Sequence, residues 1–141
     1  MFAAPTLVYG CILESPRHKY LLVQGRTSGK WSFPKGHAHE DEEELDCARR
    51  ELYEETGLSA PFMYSRVYHL ATGKYYHFKT REEQQCFPVD THEVCSTRWM
   101  SREEMKKSSV NVDVNTFLRR TDHDSKKMPR WNLAPLVTTI V

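Results

Sequence analysis

The stretch that decides the fold is Gly36–Leu58, which reads GHAHEDEEELDCARRELYEETGL. Its apolar residues Leu45, Ala48 and Leu52 recur at positions i, i+3 and i+7. That spacing places the three side chains on one face of an α-helix. The sequence therefore predicts an amphipathic helix in the second half of this stretch.

Both ends of the predicted helix carry recognisable signals. Asp41 is predicted to be the N-cap, because Glu44 follows three residues later and completes a capping box. Gly57 is placed to end the helix, since glycine adopts the left-handed conformation that closes many helices. The helix is thus expected to lie between Asp41 and Gly57.

Three glutamates share one face near the end of this helix. Glu51, Glu54 and Glu55 stand at i, i+3 and i+4, so their charges repel one another and oppose the helix dipole. A bound cation would offset that cost, and clustered carboxylates suit Mg²⁺ or Mn²⁺. The alternative, a solvated acidic face, is the commoner explanation for glutamates alone.

Two neighbours favour a metal site over a solvated face. Arg50 precedes Glu51 and can orient the carboxylates through charge-assisted hydrogen bonds. Gly36 lies before the helix, where its backbone carbonyl can approach a metal without obstruction by a side chain.

Working outward, alternating and β-branched segments predict strands on both sides of the helix. A turn is expected at Glu14–His18 and another at Thr72–Gly73. The predicted strands are Leu7–Leu13, Tyr20–Val23, Trp31–Phe33 (stopped by Pro34), Ser65–Leu70, Lys74–Lys79 and Glu93–Met100.

The remainder of the chain predicts short helices and a terminal segment. Ser101 and Glu104 form a second capping pattern that opens a helix, and Val112–Arg120 is predicted to be another. Thr121–Arg130 is polar and is predicted to be a loop, whereas Leu133–Val141 is apolar and is expected to pack on the body. Strands, a helix, strands and further helices predict an α/β fold with a mixed sheet and helices on its faces.

Composition bounds the class of protein. The 141 residues suffice for a single domain, 1–141, and 39% hydrophobic with 28% charged residues is a globular balance. We expect neither a membrane span nor a secretory signal. Four scattered cysteines predict free thiols in a reducing compartment, the cytoplasm or the nucleus. A net charge of +1 does not favour a general nucleic-acid binder.

The central stretch resembles the Nudix box, G-x5-E-x7-R-E-U-x-E-E-x-G-U, in which U is apolar. The chain is similar to Nudix hydrolases, and this resemblance implies a mixed β-sheet sandwiched between α-helices. Every defined position of the box is filled, by Gly36, Glu42, Arg50, Glu51, Leu52, Glu54, Glu55, Gly57 and Leu58.

The resemblance also implies roles for the polar positions. Glu51 and Glu55 would bind the divalent metal, Mg²⁺ or Mn²⁺, with the Gly36 carbonyl as a further ligand. Glu54 would bind a second metal or act as general base for the attacking water. Arg50 would hold the glutamates in place.

Four further polar residues flank these predicted ligands. The family resemblance implies that Glu42 supports the helix start or an outer metal. Lys35, Arg26 and Lys30 are candidates for binding substrate phosphates, and Lys35 is favoured because it adjoins Gly36. For Arg26 and Lys30 the commoner alternative is a solvated loop charge.

Two motifs bear on the substrate. Trp31–His37 reads WSFPKGH, which resembles dinucleoside tetraphosphate hydrolases and the messenger-RNA decapping enzyme, and Asp46–Gly57 looks closer to the decapping branch. Glu93 precedes Trp99 by six residues, as in decapping-type enzymes, and is a second candidate for the general base. A solvent-facing strand residue is an equally weighted alternative for Glu93.

An aromatic strand offers one more candidate contact. One face of Tyr75–Phe78 could stack on a nucleobase, but packing within the sheet is the favoured interpretation.

Three functions follow, two of them enzymatic and the third non-catalytic. The first is a pyrophosphohydrolase acting on a dinucleoside polyphosphate or on the capped 5′ end of RNA. The second is a diphosphoinositol polyphosphate hydrolase or a nucleotide-sanitising enzyme, although Pro34–His37 departs from the Pro-Gly-Gly-Gly of the inositol branch. The third, a non-catalytic binding module, is disfavoured because the box is complete. The oligomeric state is left open.

Overall fold

The computed structural model describes residues 7–127. In this part of the chain the strands are β1 (Val8–Glu14), β2 (Tyr20–Gly25), β3 (Trp31–Ser32), β4 (Lys35–His37), β5 (Arg66–His69), β6 (Gly73–Lys79) and β7 (Val94–Met100). The helices are α1 (Glu44–Thr56), α2 (Arg102–Lys107) and α3 (Val112–Lys127). Each predicted strand is confirmed, with small differences at the ends.

The described strands form one mixed sheet around β1. The order is β3-β2-β1-β6-β5, with β7 paired to β2 and β4 paired to β1. β1 and β6 run parallel from Val8↔Gly73 to Glu14↔Lys79, and the other pairs are antiparallel. The predicted mixed sheet is therefore confirmed.

Alternation along the strands separates two cores. In β1, Cys11 and Leu13 face α1, whereas Ile12 faces the opposite side, as period-two geometry requires. The core on the α1 side contains Cys11, Leu13, Leu21, Ala48, Leu52, Tyr76 and Phe78. The core against α2 and α3 contains Val8, Ile12, Tyr20, Leu22, Phe33, Leu70, Tyr75, Met100, Met105, Val114, Phe117 and Leu118.

Helix α1 packs as the apolar spacing predicts. Ala48 and Leu52 are fully buried, and Leu45 is partly buried against the same core. Gly57 adopts φ 75° and its N–H donates to the Tyr53 carbonyl, which confirms the predicted helix end.

The predicted start of α1 is wrong. The helix begins at Glu44, and the preceding residue, Glu43, makes no side-chain capping bond. Asp41 instead has φ 63°, a left-handed conformation that aspartate tolerates in turns. The reason is that the Glu42 carboxylate turns back to accept from the His39 N–H at 2.9 Å, which closes a tight turn before the helix.

The end of the described chain is more helical than predicted. The capping box of Ser101 and Glu104 is present, but α3 continues to Lys127, so a loop beginning at Thr121 is wrong. Thr121 Oγ1 accepts a hydrogen bond from Arg102 at 2.8 Å, and Asp122 accepts from Lys106 at 3.0 Å. These contacts with α2 stabilise a polar helical turn. The predicted packing of Leu133–Val141 lies outside the described residues.

Two further expectations concern membrane-spanning helices and the state of the cysteines. None of the helices within residues 7–127 is long and apolar enough to cross a membrane. All four cysteines are free, which agrees with the prediction: Cys11 and Cys47 are buried, Cys86 is half-buried and Cys95 is exposed.

Candidate active site

Three carboxylates meet where the end of α1 approaches β4 and the start of β7. Oxygen atoms of Glu51, Glu55 and Glu93 lie within 4.8 Å of one another. Glu51 and Glu55 are only 8% and 4% exposed, whereas Glu93 is exposed and immediately precedes β7. An i, i+4 pair on the helix is thus completed by a residue about forty positions further along the chain.

Strand β4 supplies the wall against which the helical pair is seated. A Cβ at Gly36 would overlap the carboxyl group of Glu51, so the position of this carboxyl group against β4 requires glycine at position 36. The next contact along β4 is the Lys35 N–H, which donates to Glu55 Oε1 at 3.2 Å. The Gly36 carbonyl lies beside the Cys47 thiol, with 3.7 Å between Sγ and the oxygen.

The electrostatics of this pair favour binding of a positive charge. Burial raises the pKa of Glu55 to about 8, opposed by the charge of Lys35 and reinforced by Glu51. Burial also raises the pKa of Glu51, against the effect of Arg50. Buried like charges are costly unless a cation neutralises them, and oxygen-only ligands suit Mg²⁺ or Mn²⁺. The donor set therefore fits a divalent metal.

Arg50 joins three acidic residues of the box. Nε and Nη2 donate to the two oxygens of Glu42 at 2.8 and 3.0 Å. Nη1 donates to Glu51 Oε1 at 3.0 Å and to both oxygens of Glu54 at 2.9 and 3.0 Å. Nη2 also donates to the His37 carbonyl at 3.0 Å. The guanidinium therefore ties α1 to the turn before it.

These hydrogen bonds strongly lower the pKa of the Glu42 carboxyl. The hydrogen bonds from Arg50, followed by the His39 N–H, hold the pKa of the Glu42 carboxyl at about 2. Glu42 is thus placed as an anionic partner of Arg50 beside the helix start, and it lies outside the trio of close carboxylates.

Glu54 lies apart from the carboxylate trio. Its side chain is 34% exposed and is paired with Arg50, whose Nη1 also donates to Glu51. The i, i+3, i+4 spacing predicted that Glu54 would join Glu51 and Glu55, but the tertiary structure brings Glu93 next to that pair. The signal that identified Glu93 was its six-residue spacing from Trp99, which became informative through the family resemblance.

The three candidate phosphate-binding residues are placed differently from one another. Lys35 lies next to the carboxylates through its backbone contact with Glu55. Arg26 is exposed, and its Nε donates to the Thr91 carbonyl at 2.8 Å. Lys30 is exposed, and its backbone closes the loop after β2 through contacts with Gly25 and Ser28. The Arg26–Thr91 contact was not foreseen, since a side chain bound to a backbone carbonyl leaves no sequence pattern.

The aromatic strand belongs to the core. Tyr75, Tyr76, His77 and Phe78 are all buried, with Tyr75 against Phe33 and Tyr76 against Tyr64 in edge-to-face geometry. The favoured packing interpretation is confirmed.

The fold and the complete box define a Nudix hydrolase. The family model for the NUDIX domain matches residues 4–121, and the chain belongs to this family. Among curated relatives it is 35% identical to the "Phosphatase NudJ" of Shigella boydii, over 74% of each chain. It is 34% identical to the protein of that name from Escherichia coli K12, again over 74% of each.

Solved structures share the fold. The Caenorhabditis elegans Ap4A hydrolase in a binary complex has a TM-score of 0.67 at 19% identity, covering 86% of this chain and 99% of that one. The NUDIX domain of Shewanella oneidensis NrtR, complexed with ADP ribose, has a TM-score of 0.67 at 19% identity, covering 87% and 90%. These similarities establish the architecture, and they leave the substrate of this chain to be argued from its residues.

Proposed function

We propose that this chain is a pyrophosphohydrolase that depends on Mg²⁺ or Mn²⁺ and cleaves a phosphoanhydride bond in a substrate linked to a nucleoside diphosphate. The observation that carries the proposal is the meeting of Glu51, Glu55 and Glu93 within 4.8 Å, two of them buried. Such an arrangement costs free energy without a cation and is stabilised by one.

The proposed site assigns the metal to Glu51, Glu55 and Glu93, with the Gly36 carbonyl as a further ligand. When bound, the metal neutralises phosphate oxygens and makes an attacking water more acidic. Arg50 keeps Glu51 and Glu54 in place through the bonds described above. Lys35 is the proposed contact for a substrate phosphate, since it adjoins both Gly36 and Glu55.

Two residues are candidates for the general base, and the structure separates them by their surroundings. Glu54 is half-exposed, hydrogen-bonded to Arg50 and outside the proposed set of metal ligands, so its protonation would remove no ligand from the metal. Glu93 lies within the carboxylate trio. Neutralising a general base that is not a metal ligand leaves the metal affinity of the enzyme unchanged. Neutralising a metal ligand lowers that affinity.

Mn²⁺ titration followed by electron paramagnetic resonance distinguishes these roles. Glu55→Gln should weaken Mn²⁺ binding and abolish turnover. Glu54→Gln should lower kcat by roughly 100-fold with Mn²⁺ binding retained, if it is the base. Loss of Mn²⁺ binding in Glu54→Gln, with Glu93→Gln unaffected, would transfer the ligand role from Glu93 to Glu54.

For the substrate we propose a dinucleoside polyphosphate or the capped 5′ end of RNA. The support is the segment Trp31–His37, WSFPKGH, together with the adjoining box. The named activity of a structural neighbour, an Ap4A hydrolase, is of the same class. A cytoplasmic location, the extent of the domain over 1–141 and the absence of a membrane partner stay predictions.

A chromatographic screen tests the substrate. It offers diadenosine tetraphosphate, capped RNA, free cap dinucleotide, a diphosphoinositol polyphosphate and 8-oxo-dGTP, with Mg²⁺ or Mn²⁺ and with Glu55→Gln as the inactive control. Formation of ATP and AMP, or of 7-methyl-GDP, supports the proposal. Turnover of the inositol compound or of 8-oxo-dGTP alone would replace the substrate class, and no turnover with metal bound would favour the binding module.

A further inference from the structure

The segment that carries Glu93 is attached to the end of α1 through backbone bonds. The Glu54 carbonyl accepts from the Val89 and Asp90 N–H groups at 2.9 and 2.8 Å, and the Thr56 carbonyl accepts from the Phe87 N–H at 3.1 Å. These donors satisfy carbonyls that a helix end leaves without intrahelical partners. The path from Phe87 to Asp90 is therefore fixed relative to the helix that carries Glu51 and Glu55.

The other end of the segment is held by one residue of the loop after β2. The Arg26 N–H donates to the Glu93 carbonyl at 2.8 Å, and Arg26 Nε donates to the Thr91 carbonyl at 2.8 Å. The two hydrogen bonds fix the backbone at Thr91 and Glu93, the residues on either side of His92. They continue the pairing of β2 with β7, whose last partners are Gly25 and Val94.

The two attachments together determine where the Glu93 carboxylate can lie. Glu93 is exposed, so burial does not restrict its side chain, and its distance from Glu51 and Glu55 depends on the course of its backbone. The backbone bonds to α1 cannot be removed by changing a side chain. The guanidinium of Arg26 can be removed, and its charge is directed to a carbonyl of this segment.

We propose that Arg26 is a positioning residue for Glu93: its guanidinium, through the Thr91 carbonyl, sets the approach of the Glu93 carboxylate to Glu51 and Glu55. The inference rests on the proposed function, because it assigns Glu93 to that metal site. It differs from the expectation that Arg26 binds a substrate phosphate. A residue that supports a ligand from outside typically changes metal affinity or activity by 10–100-fold when removed.

The experiment compares Arg26→Ala, Arg26→Lys and the control Arg98→Ala in the full chain. Arg98 is also an exposed arginine, paired with Glu104 at 2.9 Å on the surface. We expect Arg26→Ala to weaken Mn²⁺ binding, measured by electron paramagnetic resonance, and to lower kcat, each by about tenfold, with KM changed less than twofold. Arg26→Lys should recover most of both, since an ammonium can still donate to the carbonyl, and Arg98→Ala should match the wild type.

A double-mutant cycle provides a readout that a merely structural role would not move. In the Glu93→Gln background, Arg26→Ala should cause no further loss of Mn²⁺ affinity or of kcat, because the group that it positions is already neutralised. Thermal unfolding of each variant checks that the fold is retained. Additive losses in the cycle would overturn the inference.

Other outcomes separate this inference from the proposed function. If Arg26→Ala raises KM and leaves Mn²⁺ binding unchanged, Arg26 contacts the substrate and the inference is overturned while the metal site stands. If Glu51→Gln and Glu55→Gln also leave Mn²⁺ binding unchanged, the proposed metal site itself fails.

Discussion

At the scale of single residues, adjacent glutamates of one helix have opposite surroundings. Glu55 is buried against β4 and accepts from the Lys35 N–H, whereas Glu54 is half-exposed and bound to Arg50. A helix rotates each residue by 100° from the one before it, so neighbours face different partners. Gly36 allows the Glu51 carboxyl group to pack closely against β4, because glycine has no side chain to occupy that space.

The substitution Gly36→Ala tests that packing. The added methyl group would displace the carboxyl end of a flexible side chain and leave the backbone in place, so the protein should fold with almost unchanged stability. We expect kcat/KM to fall by roughly 100-fold, the size of loss that a misplacement of about 1 Å can cause. Steady-state kinetics and urea unfolding on the same preparation give the two values.

Gly29 provides the matched control for this substitution. It has φ 72° and nothing would lie within 4 Å of an added Cβ, so the cost of Gly29→Ala is conformational. It should lower the free energy of unfolding by about 1 kcal/mol and preserve kcat/KM. Equal losses of activity in both variants would contradict the assigned role of Gly36.

At the scale of elements, the same sequence pattern is a cap in one place and not in the other. Ser101 and Glu104 make both reciprocal bonds of a capping box at α2, at 3.2 and 3.1 Å. Asp41 and Glu44 have the same spacing but make no such bonds, because Arg50 and the His39 N–H engage the intervening Glu42. The hydrogen bonds of Glu42 in the site therefore replace the capping box that the sequence predicts at α1.

The capping box of α2 leads to a prediction about stability alone. Ser101→Ala removes the acceptor of the Glu104 N–H and should lower the free energy of unfolding by about 1 kcal/mol. Turnover should be unchanged, since α2 packs on the sheet face opposite α1. Urea unfolding should show no comparable loss for Ser59→Ala, an exposed serine outside the helices, and a loss of the same size there would argue against a capping effect.

At the scale of the whole molecule, the parallel pair of β1 and β6 joins the two halves of the sheet. At its end, the Glu14 carboxylate is hydrogen-bonded to His77 Nε2 at 2.8 Å and to His18 Nδ1 at 2.7 Å. The bond to His77, and then that to His18, hold the pKa of Glu14 at about 2. An ionised Glu14 therefore stabilises the folded state.

The pH dependence of stability follows from the direction of this change. The folded-state pKa is below the ordinary value of 4.5, so the contribution of Glu14 is complete above pH 4.5 and is lost as the pH falls towards 2. Glu14→Gln should lower the free energy of unfolding by about 2 kcal/mol at pH 7 and have progressively less effect in that window. Urea unfolding from pH 7 to pH 2 measures this difference in the free energy of unfolding, with a substitution of the exposed Glu40, Glu40→Gln, as the control. A difference independent of pH would exclude the ionised carboxylate as its source.

The sequence by itself determined the periodic features of this protein. The stripe of Leu45, Ala48 and Leu52 specifies the buried face of α1, and alternation specifies the strands, because both depend on angles fixed within one element. Gly57 ends the helix for the same local reason. The box also identifies Glu51 and Glu55, whose i, i+4 spacing directs them to one side.

The family resemblance suggested Glu93 as a candidate base, but only the tertiary structure placed its carboxylate beside that pair. Glu93 reaches Glu51 and Glu55 because β7 pairs with β2 and because the preceding segment is bound to the end of α1. Arg26 contacts this segment through a backbone carbonyl, which any residue at position 91 would offer. Contacts between distant segments depend on sheet pairing and loop path, and no local spacing encodes either of them.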